Sequence, residues 1–69
     1  MDANEYFKRG RESLEKDDYD QACADFWKVM EMMHEPEKVE MFREQTKVKG
    51  FEPDVVALVL MESLKQFFQ

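Results

Sequence analysis

The chain has 69 residues, enough for one small domain and no more. Sixteen acidic and ten basic side chains give a net charge of −6, and apolar residues make up 43% of the sequence, which is too many for a disordered acidic tail. One cysteine and one histidine exclude an intramolecular disulfide and a His/Cys zinc site. Helix packing, self-association or a partner must therefore supply the stability that so small a core lacks.

Several classes of protein are excluded by local sequence. The longest apolar run, residues 55–61, is far shorter than the roughly 20 residues that span a bilayer. Residues 1–5 are acidic and polar, unlike a signal or transit peptide. A lone cysteine without an export signal leads us to expect a cytoplasmic protein. The acidic balance argues against direct binding of nucleic acid, which depends on clustered Lys and Arg.

The charge is unevenly distributed along the chain. Residues 1–35 carry ten acidic and five basic side chains, whereas residues 36–69 carry six and five. An acidic first half attracts basic surfaces and accelerates the encounter with them.

The first half of the chain is predicted to form two helices. Asp2 and Glu5 have the spacing of a capping box for a helix that ends near residue 16. Residues 18–21 have the same spacing and are predicted to start a second helix, which should end before Pro36. The broad apolar face of this second helix is predicted to contain Ala22, Cys23, Phe26, Trp27, Val29, Met30 and Met33.

Two further helices are predicted in the second half. Pro36 suits the first position of a helix that runs to about Val48, and Gly50 is a plausible left-handed cap at its C-terminal end. Pro53 starts a fourth helix that extends to about Phe68. A buried strand is the alternative for its apolar first part, but no second strand is available for pairing. The sequence therefore predicts an all-α fold of about four helices in antiparallel hairpins.

Residues 3–36 have the length and spacing of a helical repeat. In each of the two predicted helices, a small residue lies four positions from a large aromatic one. This spacing is typical of two helices that approach each other closely. This pattern resembles the tetratricopeptide repeat, with five positions in place: Tyr6, Gly10, Tyr19, Ala22 and Phe26. Four positions depart from the pattern of that family, which has Leu, Tyr, a small residue and Pro where this chain has Arg9, Ser13, Val29 and His34.

A second copy of the repeat is much weaker. A shift by 34 residues preserves the apolar period of the second helix, but it places Glu40 and Glu44 where the first half has Tyr6 and Gly10. We interpret residues 37–69 as a degenerate repeat or as a pair of capping helices. Because about three repeats are normally needed for a stable stack, an open apolar end is expected.

The resemblance implies a ligand groove along the first helix. Phe7, Arg11 and Leu14 occupy matching positions, and Phe7 and Arg11 replace the Lys and Asn with which some family members hold a C-terminal carboxylate. An apolar groove for an amphipathic helix, from this chain or from a partner, is therefore expected. The alternative is that Phe7 and Leu14 are ordinary core residues.

The fourth helix is apolar on every side, so part of its surface has no predicted place in the core. Val56, Leu60, Leu64 and Phe67 form one stripe, and a second group points away from it. Large exposed apolar patches usually mark an interface. The candidate partner-binding residues outside the first helix are accordingly Trp27, Met32, Val55, Leu58, Val59 and Phe68. The alternative places the fourth helix at the centre of the core.

No catalytic motif is present, and the sequence predicts no catalytic residue, cofactor or metal. His34 lies near Glu31 and Glu35, but a helix-end histidine is the simpler interpretation. Residues 17–20 lack the glycine and the distal glutamate of a calcium loop.

We therefore predict a non-enzymatic adaptor that binds another protein and forms a homodimer or half of a heterocomplex. One alternative is a small acidic inhibitor of a basic site on an enzyme or nucleic-acid-binding protein, and a weaker one is a secretion-type chaperone.

Overall fold

Four α-helices make up most of the chain in a computed structural model, which describes residues 1–68. They are α1 (Ala3–Glu15), α2 (Tyr19–Met33), α3 (Pro36–Lys49) and α4 (Pro53–Leu64), followed by a short 3₁₀ helix (Lys65–Phe67). The described residues contain no strand, so the predicted all-α fold is confirmed and the strand alternative for residues 55–61 is wrong. None of the helices in residues 1–68 combines the length and apolar character needed to cross a membrane.

The helix ends follow the capping residues. The amide of Glu5 donates to the Asp2 carboxylate (2.9 Å) and the amide of Asp2 donates to the Glu5 carboxylate (3.3 Å), which confirms the first capping box. At α2 only half of the predicted box is present. Asp18 accepts from the amide of Gln21 (3.3 Å), but the Gln21 side chain donates to Asp25 instead of to the cap (3.1 Å).

Helices α1 and α2 form a tight antiparallel hairpin. A Cβ at Gly10 would lie 2.5 Å from Cε1 of Phe26, so the two helices approach too closely there for any side chain. The Phe26 ring and Ala22 are completely buried, and the Phe7 ring lies 5.6 Å from that of Phe26. The close approach predicted at Gly10 is therefore present.

An ion pair between a half-exposed arginine and a buried aspartate crosses the same hairpin. Arg9 Nη2 donates to Asp25 Oδ1 (2.6 Å) and Arg9 Nε donates to Oδ2 (3.0 Å), while Gln21 donates to Oδ1 (3.1 Å). Asp25 is only 1% exposed, and its hydrogen bond with Arg9 raises the pKa of the guanidinium. In the sequence, Arg9 is only a departure from the repeat pattern, and Asp25 has no predicted role. The pairing arises from the register of the hairpin, which sets residue 9 opposite residue 25.

Helix α2 is the central element, since α1, α3 and α4 all pack against it. Helix α3 packs mainly on α2 and buries only Val39. It diverges from α4, so α3 and α4 do not pack face to face as α1 and α2 do. Gly50 ends α3 in the left-handed conformation (φ 71°), as predicted. The core contains Phe7, Ala22, Phe26, Trp27, Val29, Val39, Ala57, Leu60 and Leu64.

The C-terminal turn differs from the prediction. Phe67 was expected in the core stripe of the fourth helix, but it is 54% exposed, and Phe68 packs against the core instead. The 3₁₀ turn has 3.0 residues per turn in place of 3.6, so it rotates the last side chains relative to an α-helix. That rotation stacks Phe68 on Phe7 at a ring separation of 4.7 Å.

Candidate protein-binding groove

The divergence of α3 and α4 leaves an apolar groove with a volume of about 360 Å³. All of its lining residues except Thr46 are apolar. The lining comes from α2, α3, α4 and the α3–α4 connection, and consists of Trp27, Phe42, Thr46, Phe51, Val55, Val56, Val59 and Leu60.

The floor of the groove is the buried ring of Trp27. Trp27 is 4% exposed, and the edge of its ring meets Phe42 at a centroid distance of 5.6 Å and an interplanar angle of 68°. The guanidinium of Arg43 lies 5.8 Å from the centre of the Trp27 ring. These contacts favour one orientation of the indole, because aromatic pairs and cations over ring faces each have a preferred geometry. Trp27 was predicted to contact a partner; the structure places it beneath the groove, with little surface of its own.

The rim of the groove is exposed. Phe51 and Val59 are both 52% exposed, and Phe42 and Val55 are exposed to a similar extent. Leu58 is equally exposed but lies on the outer side of α4, where with Val55 and Val59 it forms a ridge beside the groove. These three α4 residues therefore point away from the core as the sequence predicted, and their contact with a partner stays a prediction.

One end of the groove continues into a shallower polar hollow of about 240 Å³. Asp20, Arg43 and Lys47 border it, and Cys23 lies on its wall with its thiol donating to the carbonyl of Pro53 (3.1 Å). Burial raises the pKa of the Cys23 thiol, which holds it in the neutral, weakly nucleophilic form. This end of the groove offers polar contacts to a ligand and lacks an activated nucleophile.

The groove predicted on α1 is occupied by the chain itself. Phe7 is buried beneath the stacked ring of Phe68, and the Arg11 guanidinium lies 5.8 Å from the centre of the Phe7 ring. Leu14 is partly buried against the core. A segment of this chain and a helix of a partner were the two occupants considered for this surface. In the structure, the chain's own C-terminal segment lies there. Met32 is exposed near the end of α2, outside the lining of the α3/α4 groove.

An acidic surface lies where the α1–α2 turn meets the start of α4. Five carboxylates converge around one shallow depression, those of Asp17, Asp18, Asp20, Glu52 and Asp54. The Tyr19 hydroxyl donates to Asp17 (3.1 Å), and that bond raises the tyrosine pKa. Among residues 1–68, no three His, Cys, Asp or Glu side chains are arranged to hold a metal ion.

Five of the eight lining residues were not among the predicted partner-binding residues: Phe42, Thr46, Phe51, Val56 and Leu60. In the sequence, Phe42 and Thr46 belong only to a thin apolar face of α3, and Phe51 only loosely echoes Tyr19 of the first turn. The sequence does contain a signal at Phe51. This aromatic residue lies in the connection between the cap Gly50 and Pro53, the first residue of α4, where no core of its own can bury it, so its exposure was predictable.

Comparison with protein-family models, with curated proteins and with solved structures found no match to this chain. Its function is therefore inferred from the geometry of this chain alone.

Proposed function

We propose that this chain is a non-enzymatic protein-binding module that accepts an apolar helical segment in the groove between α3 and α4. The observation that supports this is the ring of half-exposed apolar side chains above the buried Trp27 floor. A helix-lined apolar groove is a recurring receptor for one face of an amphipathic helix. Exposed apolar patches of this kind are uncommon on soluble proteins unless a partner covers them.

The size of the exposed patch fits such a role. An aromatic side chain presents about 150–250 Å² and an aliphatic one somewhat less. Five roughly half-exposed side chains therefore offer on the order of 500 Å² at most; they are Phe42, Phe51, Val55, Leu58 and Val59. A partner that buries a similar area would bring the total to about 1,000 Å², the lower limit for a specific interface. The groove is therefore large enough for a specific but reversible contact.

The first hairpin supports a more detailed interpretation. We infer that residues 3–36 form a single tetratricopeptide-like hairpin, because Gly10, Ala22 and Phe26 make the close helix approach on which that resemblance depends. The segment after α4 then acts as a cap, because Phe68 covers Phe7, and α4 leaves its outer side for a partner. The single free cysteine, Cys23, suits a reducing compartment such as the cytoplasm.

A site-specific crosslink tests the groove. Phe51 is replaced by the photo-crosslinking residue p-benzoylphenylalanine, and Met41, which is exposed on a separate surface of α3, is replaced in the control. Both proteins are irradiated alone and in an extract of the native host. We expect a discrete protein adduct from position 51 and none from position 41. Equal adducts at both positions, or none at either, would contradict the proposal.

A second candidate function rests on the acidic surface. Five carboxylates from two parts of the chain would suit a small acidic inhibitor that covers a basic site on another protein. Ionic strength separates the two functions, because charge-driven binding weakens with salt and apolar docking does not. Asp17→Asn combined with Glu52→Gln, two residues outside the groove and its polar hollow, should weaken an electrostatic complex and leave adducts at position 51 unchanged.

A further inference from the structure

We propose that the α3/α4 groove is occupied by the α4 ridge of a second copy of this chain, in a dimer with two-fold symmetry. This rests on the proposed function, because it names the partner of the same groove. Three features of the chain support a second copy over an unrelated helix: the shape of the face, the distribution of charge, and the area available.

The face is complementary to itself. The ridge of Val55, Leu58 and Val59 and the groove lie side by side, and Val55 and Val59 belong to both. An isologous interface requires this arrangement, since each copy must present both the projecting and the receiving surface. Leu58 of each copy enters the groove of the other, where Phe42 and Phe51 surround it.

The charge distribution permits two copies to meet through this face. Residues 36–69, which contain α3 and α4, carry six acidic and five basic side chains, whereas most of the net charge of −6 lies in residues 1–35. The lining of the groove carries no charged side chain, so two copies can meet there without burying a charge. A strongly basic partner would instead be drawn to the acidic surface at the start of α4, which lies beside the groove.

The charges of α4 also favour one orientation. Asp54 lies in the first turn of α4, and Lys65, which pairs with Glu62 at 2.9 Å, lies just beyond its last turn. The Glu62–Lys65 pair leaves no net charge at that end, so the helix dipoles decide: when the two α4 helices run antiparallel, the first turn of each lies beside the last turn of the other, which is the favourable arrangement. A parallel arrangement would set like charges together.

The area is sufficient for a reversible dimer. The accessible surface of the chain is 4820 Å², and the exposed groove and ridge make up roughly a tenth of it, the fraction that standard interfaces use on a small protein. Two such faces bury about 1,000 Å² in total, which is near the lower limit for specific association. We expect a dimer whose dissociation is measurable at micromolar concentration.

Sedimentation velocity of the purified full chain, with light scattering at several concentrations, tests the dimer. The wild-type chain should have twice the monomer mass of 8.3 kDa at high concentration and dissociate on dilution. Val59→Glu should raise the dissociation constant by at least roughly a hundredfold, because two carboxylates per dimer would be buried without partners. Val48→Glu is the matched control, since this valine is exposed on a separate surface of α3.

Circular dichroism verifies that both variants keep their helices, and Leu58→Glu replaces Val59→Glu if the latter unfolds. A wild-type chain that stays monomeric at all concentrations overturns the dimer, as does a Val48→Glu effect as large as that of Val59→Glu. The crosslink at position 51 distinguishes the two proposals. If the chain is monomeric and its adduct contains a different protein, the dimer is refuted and the proposed binding groove stands. If the chain is monomeric and forms no adduct, both proposals are refuted.

Discussion

Gly10→Ala is expected to destabilise the fold, although alanine is a better helix former than glycine. The added methyl group would lie 2.5, 2.8 and 2.9 Å from three carbons of the Phe26 ring, where carbon atoms prefer about 3.5–4.0 Å. The ring is fully buried and packs on Phe7, so it has no free space to move into. Overpacking of this kind lowers the free energy of unfolding by about 3 kcal/mol at the upper end of its range. The better helix propensity of alanine raises it by about 1 kcal/mol.

The net loss of unfolding free energy is therefore about 2 kcal/mol, equivalent to a fall in Tm of roughly 10 °C for a domain of this size. Urea titration followed by circular dichroism measures it. The double variant with Phe26→Leu provides the control, because a shorter side chain leaves room for the methyl group. In that background Gly10→Ala should cost much less or stabilise the chain, giving a coupling of more than about 1 kcal/mol. A neutral or stabilising effect of Gly10→Ala in the wild-type background would refute the close approach of α1 and α2.

Three further changes probe the same architecture. Asp25→Asn removes the charged acceptor of Arg9, so it should lower the unfolding free energy by about 2 kcal/mol in urea titration. A change of less than about 0.5 kcal/mol would contradict a stabilising role for the Arg9–Asp25 pair. Gly50→Ala should cost about 1 kcal/mol, since φ is 71° there, and an unchanged Tm would argue against the left-handed cap. The raised pKa of Cys23 predicts that iodoacetamide alkylates the native thiol only at a higher pH than the unfolded chain. As the pH rises, the thiol ionises in the unfolded chain before it ionises in the folded one. The contribution of Cys23 to the free energy of unfolding is therefore present below its unfolded pKa and is lost as the pH rises through its folded pKa. Cys23→Ala should remove this part of the loss of stability at alkaline pH.

The helices could be predicted because their ends are encoded locally. Asp2, Pro36, Gly50 and Pro53 act on the backbone within a few residues of themselves, and no distant contact is needed to interpret them. The α1–α2 hairpin was also predictable, since the spacing of small and large residues determines how closely two neighbouring helices pack. The pairing of Asp25 was not, because a carboxylate on a helix looks solvated until the register of the hairpin sets an arginine opposite.

The candidate groove was only partly predictable. The spacing along α4 separates Val55, Leu58 and Val59 from the buried stripe, so their exposure followed from helical periodicity. The divergence of α3 from α4 did not follow, because the thin apolar face of α3 carries no information about its neighbour. Phe68 was predicted at an interface, yet a single 3₁₀ turn rotates it onto Phe7, and the sequence of the last residues does not distinguish this turn from a continued α-helix.

The weak attachment of α3 has a consequence for amide hydrogen exchange. Val39 is its only buried residue and α2 is its main support, so we expect α3 to open by local unfolding at a lower free energy than the global transition. The amides of α3 should then exchange faster than those of α4, which buries three residues. An occupant of the groove should slow the exchange of α3, so protection along α3 would report how fully the groove is filled.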